Sequence, residues 1–138
     1  MDGTLEKTRT FENLKKAFFE EAGLAFRYQF FATIAQFEGL ESYQALFQNF
    51  AEGGKMNVEG LLDFLRTARD PSSDIPFGRT MQNAESAMQT ETKQFTETYP
   101  EMARTAREEG LTDIASWFDT LEKLKHSRAQ KLKANGHA

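Results

Sequence analysis

Apolar residues recur along this chain at alternating spacings of three and four positions. That spacing places them on one face of an α-helix, whereas a half-buried strand would alternate at every second residue. The pattern therefore predicts an all-α protein with four helical segments. These segments cover roughly residues 10–38, 41–68, 80–109 and 112–134.

Residues that interrupt helices mark where these segments end. Gly39 and Gly110 follow the first and third segments, as glycine often does just beyond a helix. The stretch 69–79 contains two prolines and several turn formers, so we interpret it as a crossover loop between the second and third segments. Pro100 lies inside the third segment, where it is expected to kink the helix or to divide it.

The two halves of the chain resemble each other at a period near 70 residues. The matching positions are Asn13, Ala17 and Glu21 with Asn83, Ala87 and Glu91 and, after a slip of one residue, Glu38-Gly39-Leu40 with Glu109-Gly110-Leu111 and Phe47 with Phe118. This duplication predicts a four-helix bundle built from two helical hairpins that the crossover loop joins.

Composition and charge narrow the class of protein. The chain has 138 residues, the size of one domain, and a formal net charge of -4, which argues against nucleic acid as a partner because phosphate binding needs a clustered basic surface. No stretch approaches the roughly 18 apolar residues that a membrane span requires. We therefore expect a single-domain cytoplasmic protein that binds neither nucleic acid nor membranes.

The complete absence of cysteine limits the chemistry further. Thiolate catalysis, disulfides, iron–sulfur clusters and cysteine-ligated zinc are all excluded for these 138 residues. Any metal would depend on carboxylates and on the two histidines, His126 and His137.

Each segment carries polar or missing side chains in the middle of its apolar seam. The first segment offers one such residue, Glu21. The others each offer two residues three positions apart, a spacing that puts both on one helix face. These pairs are Gly54 and Asn57, Glu91 and Gln94, and Lys125 and Arg128.

From Asn13 to about Leu132 the sequence resembles the rubrerythrin family. The most specific stretches are KAFFEEAGLAFRYQFFA, the two EGL turns and ETKQFTETYPEMA. The resemblance implies a ferritin-like four-helix bundle, in which two helices each give one Glu and the other two each give a Glu-x-x-His to a di-iron centre. It also implies an ancestral activity in peroxide reduction, which belongs to the response to oxidative stress.

Carried over by position, this resemblance implies that most metal ligands have been lost. Glu21 and Glu91 match the two single-carboxylate ligands. The first Glu-x-x-His is replaced by Gly54 and Asn57, the second by Lys125 and Arg128, and Gln94 replaces a further carboxylate. The rubredoxin-like iron module of many relatives is not expected either, since it needs cysteines.

The residues at these positions would form a balanced set of charges. Two fixed cations, Lys125 and Arg128, would balance Glu21 and Glu91 in a neutral ion-pair cluster. Gly54 and Asn57 would leave room for the two long cationic side chains. We therefore expect a metal-free, non-catalytic scaffold or partner subunit that holds no cofactor.

Two other functions fit the same residues. In the first, Glu21 and Glu91 hold one iron or manganese ion with help from Asn57, Gln94 or water, and the protein is a reduced-site oxidoreductase. In the second, the space beside Gly54 and the charges of Lys125 and Arg128 receive a small acidic molecule. The pair Gly53-Gly54 is also open to interpretation as a local kink or as the wall of a cavity.

Aromatic residues suggest how the chain assembles. Tyr28 and Tyr99 are expected near the polar layer, in a supporting role around the former metal site. Phe19, Phe30 and Phe37 lie off the seam and would either form a second apolar face or pack beneath the crossover loop. The resemblance implies a homodimer, with helices exchanged between subunits in some members, or a partnership with an active rubrerythrin-like protein.

Overall fold

The computed structural model describes residues 4–136, and the regular structure in that range is entirely helical. The elements are a short 3-10 turn (Leu5–Lys7), α1 (Arg9–Phe37), α2 (Glu41–Leu65), α3 (Thr80–Lys93), a π-helical turn (Gln94–Thr98), α4 (Tyr99–Glu108) and α5 (Thr112–Gly136). The predicted all-α class is confirmed, and this helical content is consistent with a ferritin-like four-helix bundle.

The helices form two compact units, and the chain passes from one to the other between Pro71 and Ser72. Hairpin 1 consists of α1 and α2, and hairpin 2 consists of α3, the π turn, α4 and α5. These are the two helical hairpins that the internal repeat predicted. That they form a single domain stays a prediction.

Both hairpins turn through the same backbone motif. Gly39 and Gly110 have φ angles of 73° and 77°, a left-handed conformation that glycine adopts without steric cost. The next residue donates its N–H to the carbonyl five positions back, from Leu40 to Ala35 at 2.9 Å and from Leu111 to Ala106 at 2.8 Å. This is the Schellman ending of a helix, and it confirms that the repeat seen in the sequence is also a repeat of structure.

Hairpin 1 closes on small side chains. Ala32, Ala35 and Ala51 are buried where α1 and α2 run side by side. A Thr8 side chain begins α1 by accepting a hydrogen bond from the Phe11 N–H at 3.1 Å. The small alanine side chains let the two long helices approach closely.

The second helix ends three residues earlier than the periodicity predicted, at Leu65 instead of 68. The Thr67 hydroxyl donates to the Phe64 carbonyl at 2.7 Å, and the Ala68 N–H donates to the Leu65 carbonyl. Both bonds satisfy carbonyls that a longer helix would use, because the last turn of a helix leaves its carbonyls unpaired. Leu65 itself is fully buried.

Pro100 divides the third predicted segment, as expected, and does so through a π turn. Proline has no N–H to donate to the carbonyl of Thr96. The preceding Tyr99 N–H instead bonds to the Gln94 carbonyl, five residues back. The helix therefore widens over 94–98 and continues as α4.

The π turn also explains the one-residue slip in the repeat. Positions up to Glu21 and Glu91 match at a spacing of 70, whereas those from Tyr28 and Tyr99 onward match at 71. The extra residue must enter between these points, which is where the π turn lies. A wider turn accommodates one additional residue without changing the faces of the helix on either side.

Across residues 4–136, none of the helices has the combination of length and apolar character that spanning a lipid bilayer would require.

Candidate functional site

Hairpin 2 contains a cluster of three charged side chains. The Nζ atom of Lys125 lies 3.4 Å from Oε1 of Glu91, and a guanidinium nitrogen of Arg128 lies 3.7 Å from the same oxygen. The side chains of Glu91 and Lys125 are only 15% and 17% exposed, whereas that of Arg128 is 61% exposed. Lys125 is therefore the interior partner of the carboxylate, and Arg128 approaches it from the rim.

Two buried oxygens beside this cluster accept no hydrogen bond from the described residues: Oε2 of Glu91 and Oε1 of Gln94. The two residues are three positions apart, so they share one face of the helix where the π turn begins. An unsatisfied buried acceptor costs about 1–3 kcal/mol. The site therefore has capacity for a further hydrogen-bond donor.

The charges of this cluster are unequal within hairpin 2. Two cations, Lys125 and Arg128, approach one carboxylate, Glu91. The pairing of both cations with Glu91 agrees with the predicted ion-pair cluster. Glu21 is half-buried on α1 in hairpin 1, and its predicted role as the second carboxylate stays a prediction.

The predicted site residues of α2 have different environments. Asn57 is exposed, while Gly54 is buried and faces α1. A β-carbon at position 54 would come within 2.9 Å of the Ala25 β-carbon, closer than real side chains approach. Gly54 thus permits the close approach of α1 and α2, a role that the sequence interpretation missed.

The neighbouring glycine differs from Gly54. A β-carbon at Gly53 would meet nothing within 4 Å, and α2 continues through both glycines without interruption. The pair therefore does not end or divide the helix. The prediction that Gly54 and Asn57 leave room for Lys125 and Arg128 stays a prediction.

The two predicted tyrosines occupy equivalent places in the two hairpins. The Tyr28 ring stacks on Phe47 at a centroid distance of 6.2 Å and an interplanar angle of 22°. The Tyr99 ring stacks on Phe118 at 6.1 Å and 20°. Tyr28 also meets the Phe50 ring edge at 5.4 Å. Stacking against the facing helix thus fixes the position of each tyrosine.

The residues present do not fit a di-iron centre. Such a centre in a four-helix bundle uses four carboxylates and two histidines. Within residues 4–136, no three His, Asp or Glu side chains are grouped closely enough to hold a metal ion. The His126 ring packs on Phe95 at 4.6 Å, and His137 lies outside the described residues.

Comparison with known proteins identifies the family. The family model for rubrerythrin matches residues 12–126. The chain belongs to the rubrerythrin family. A rubrerythrin of Porphyromonas gingivalis is 31% identical over 140 residues, which cover 97% of this chain and 69% of that relative.

Other rubrerythrins show similar agreement. Rubrerythrin-1 of Clostridium acetobutylicum is 29% identical over 95% of this chain and 71% of its own length. A rubrerythrin of Nitratidesulfovibrio vulgaris is 30% identical over 86% of this chain and 64% of its own length. The matches therefore extend through both hairpins.

Proposed function

We propose that this member of the rubrerythrin family has exchanged its di-iron site for an ion-pair cluster and acts without a resident metal, as a scaffold or partner subunit. The observation that carries the proposal is the approach of Lys125 and Arg128 to one oxygen of Glu91. By the resemblance described above, these two cations would stand at the positions where the family has a metal-binding Glu and His.

Electrostatics support this proposal. A divalent ion bound to Glu91 would lie close to the Lys125 ammonium group, which is only 3.4 Å from that carboxylate. At about 4 Å and an effective dielectric constant near 20, each pair of unit charges repels by roughly 4 kcal/mol. Lys125 would have to move or lose its proton before a metal could bind. The cluster therefore favours the metal-free state.

Assembly is the second part of the proposal. An apolar groove of about 460 Å³ lies beside the turn of hairpin 1, between Phe31, Ile34 and Tyr43. A groove of about 550 Å³ lies beside the turn of hairpin 2, where the apolar side chains of Met102 and Ile114 lie beside the carboxylates of Glu101 and Glu109. Apolar surfaces of this kind are typical of interaction sites. We propose that they are covered in a homodimer with exchanged hairpins, or by an active rubrerythrin-like partner, in the cytoplasm.

One observation favours a second candidate function, the binding of a small acidic molecule. An open groove of about 450 Å³ adjoins the cluster and is lined by Arg128, Lys131 and Asn135 together with Glu91. Its charged residues are two cations and one carboxylate. This excess of positive charge suits a carboxylate or phosphate ligand.

The metal content of the protein tests the proposal. The protein would be expressed with iron, manganese and zinc supplied, dialysed exhaustively and measured by elemental analysis. Less than about a tenth of an equivalent is expected, because two cations oppose a third at this site. A stoichiometric metal that Glu91→Ala removes would contradict the proposal and support the reduced-site oxidoreductase with iron or manganese.

A matched variant makes this measurement specific. Glu85 is an exposed glutamate of α3 that pairs with Gln89 and lies outside the cluster. Glu85→Ala removes the same charge from the same helix. Metal that is lost equally from both variants would indicate surface binding instead of a site at Glu91.

A further inference from the structure

A row of exposed phenylalanines runs along α1. Phe19, Phe26, Phe30 and Phe37 are 53%, 70%, 58% and 83% exposed. With Gly23 and Thr33 between them, they are spaced alternately by four and three residues, the spacing of a coiled-coil seam. We call these six residues the α1 stripe.

Most of the α1 stripe faces away from the rest of hairpin 1, and its Phe30 also lines the groove beside the turn that includes Phe31, Ile34 and Tyr43. At about 100° per residue, its four rings lie within roughly 40° of one another around the helix. The same count puts Glu21 about 160° away, and Ala25, which contacts Gly54, about 120° away. The stripe is therefore a second apolar face, distinct from the face that contacts α2 and from the predicted seam.

We propose that a second copy of this chain binds the α1 stripe, with the two α1 helices antiparallel. The six residues are arranged symmetrically about position 28. A twofold axis at that position would place Phe19 against the partner's Phe37, Phe26 against the partner's Phe30, and Gly23 against the partner's Thr33. Large rings would meet large rings, and the two small residues would meet each other.

Charges at the two ends favour the antiparallel direction. Lys16 and Glu38 are exposed, and both lie on the same side of the stripe, about 40° apart around the helix. In an antiparallel pair, each Lys16 comes beside the partner's Glu38. In a parallel pair, the two copies of Lys16 would lie at the same level but on opposite sides of the seam, as would the two copies of Glu38, so no Lys16 would come beside a Glu38.

One contact opposes the pairing. Arg27 lies on the same side near the axis and would approach the partner's Arg27. Because Arg27 is exposed, its long side chain has room to turn its charged end into water and away from the partner's, which reduces this repulsion. The six stripe positions themselves carry no charge.

The area of the stripe suits a modest but specific interface. A phenylalanine side chain buries about 200 Å² when fully covered, so the four exposed rings offer roughly 500 Å² per copy. A pair of copies would bury about 1,000 Å², near the lower limit for a specific protein interface. We therefore expect two copies to associate with a micromolar dissociation constant. If hairpins are also exchanged between copies, the assembly would be a tetramer instead of a dimer.

The absence of cysteine from the sequence allows a direct test of the arrangement. Gly23→Cys is compatible with the helix, because a β-carbon there meets nothing within 4 Å. Thr33→Cys, the second single variant, changes an exposed side chain. The two single variants, one of them isotopically labelled, would be mixed and oxidised with diamide. Mass spectrometry would then count mixed and self-paired disulfides.

The antiparallel arrangement predicts mainly mixed disulfides, about tenfold above either self-paired form. Position 23 of one copy would lie beside position 33 of the other, whereas the two copies of either position would lie about 15 Å apart along the helix. Self-paired disulfides in excess would indicate parallel helices and overturn the proposal. So would a failure to form disulfides at concentrations where the protein is oligomeric.

Sedimentation velocity provides an independent test of the stripe itself. Phe26→Ser/Phe30→Ser is expected to halve the assembled mass at about 50 μM, since two central rings of each copy are lost. Met56→Ser/Trp117→Ser changes two comparably exposed apolar residues outside the stripe and should leave the mass unchanged. Far-ultraviolet circular dichroism would confirm that both variants remain helical.

Three results of this test would overturn the proposal. One is an equal mass for the two double variants, and another is a monomeric unmodified protein at 100 μM. The third is binding of the monomeric protein to vesicles of phosphatidylethanolamine and phosphatidylglycerol, seen as co-sedimentation, together with loss of that binding in Phe26→Ser/Phe30→Ser. The occupant of the stripe would then be a lipid surface. Because the metal-free cluster lies in hairpin 2, its own test is independent of all these results.

Discussion

Hairpins 1 and 2 are alike near their turns and differ near the middle of their helices. Close to the turn they share a glycine of positive φ, a stacked Tyr–Phe pair and two buried alanines on the helix that precedes the turn. The alanines are Ala32 and Ala35 on α1 and Ala103 and Ala106 on α4. At the middle, hairpin 1 has Gly54 where hairpin 2 has Lys125.

The difference shows which parts of the repeated unit have a structural requirement. The turn needs a left-handed residue, and the alanines need to be small, so both hairpins meet the same demand. The family pattern implied by the resemblance has metal ligands at the middle positions. In this chain, hairpin 1 closes there on Gly54 and Ala25, whereas hairpin 2 holds a charged cluster.

The largest effect is expected from returning metal ligands to hairpin 2. Lys125→Glu/Arg128→His would add a carboxylate and an imidazole to Glu91 and remove both cations. We expect the affinity for zinc or cobalt to rise at least about 100-fold. The metal would then have three ligands, whereas the native site offers one carboxylate beside two cations that repel a metal ion. Isothermal titration calorimetry measures this change.

The chain offers a matched control for that experiment. Lys123→Glu creates the same Glu-x-x-His spacing with the native His126, on the exposed side of α5 and away from Glu91. If this variant bound metal as tightly as the double variant, local spacing alone would explain binding and the comparison between the hairpins would lose its basis.

A methyl group at Gly54 tests the close approach within hairpin 1. Gly54→Ala should lower the free energy of unfolding by about 1–3 kcal/mol, since the new β-carbon would meet that of Ala25 at 2.9 Å. Gly53→Ala, where the space is open, should instead raise it by about 0.5–1 kcal/mol through helix propensity. Urea denaturation measures both, and equal effects would refute the packing role of Gly54.

The interior ion pair of hairpin 2 is expected to contribute less. Lys125→Met keeps most of the side-chain volume but leaves Glu91 with only the exposed Arg128 at 3.7 Å. We expect a loss of about 1–2 kcal/mol in unfolding free energy, below the usual cost of breaking a fully buried pair because the contact is long and partly solvated.

Arg128→Met is the comparison for the Lys125 variant. The Arg128 side chain is largely exposed, so we expect a change of about 0.5 kcal/mol or less. A larger loss for this variant than for Lys125→Met would show that the rim cation, and not the interior one, balances Glu91.

The smallest difference is expected between the two turns. Gly39→Ala and Gly110→Ala should each cost about 1 kcal/mol, because alanine is strained at φ angles of 73° and 77°. Thermal unfolding should give effects that agree within about 0.5 kcal/mol. A clear inequality would mean that the turns are not equivalent in energy despite their common hydrogen bonds.

Local patterns predicted much of this fold. The helical period, the turn glycines and the effect of Pro100 depend on residues close in sequence, so the four segments and the break in the third could be anticipated. The spacing of Lys125 and Arg128 predicted that both lie on one helix face. The resemblance added the expectation of an ion-pair cluster with Glu21 and Glu91, of which the structure shows the pairing with Glu91.

Three features were not predicted, one that depends on contact between helices and two that depend on details of the local backbone. The meeting of Gly54 with Ala25 joins positions 29 residues apart, and nothing local to Gly54 indicates its neighbour. The early end of α2 involves the Thr67 hydroxyl, which donates to the Phe64 carbonyl. The sequence does not reveal whether such a hydroxyl bonds to the backbone or points into water. The one-residue slip in the repeat indicates an added residue in the second half of the chain. Only the backbone structure shows that this residue lies in a π turn.

The π turn at 94–98 has a consequence for how positions correspond within the molecule. A residue number carried across it at a constant spacing of 70 reaches a position about 100° around the helix from its true counterpart. The register changes there by one residue while both flanking faces are preserved. The chain thus demonstrates that a helix packed along a neighbour, here α5, can hold an additional residue in its interior, an alteration usually confined to loops.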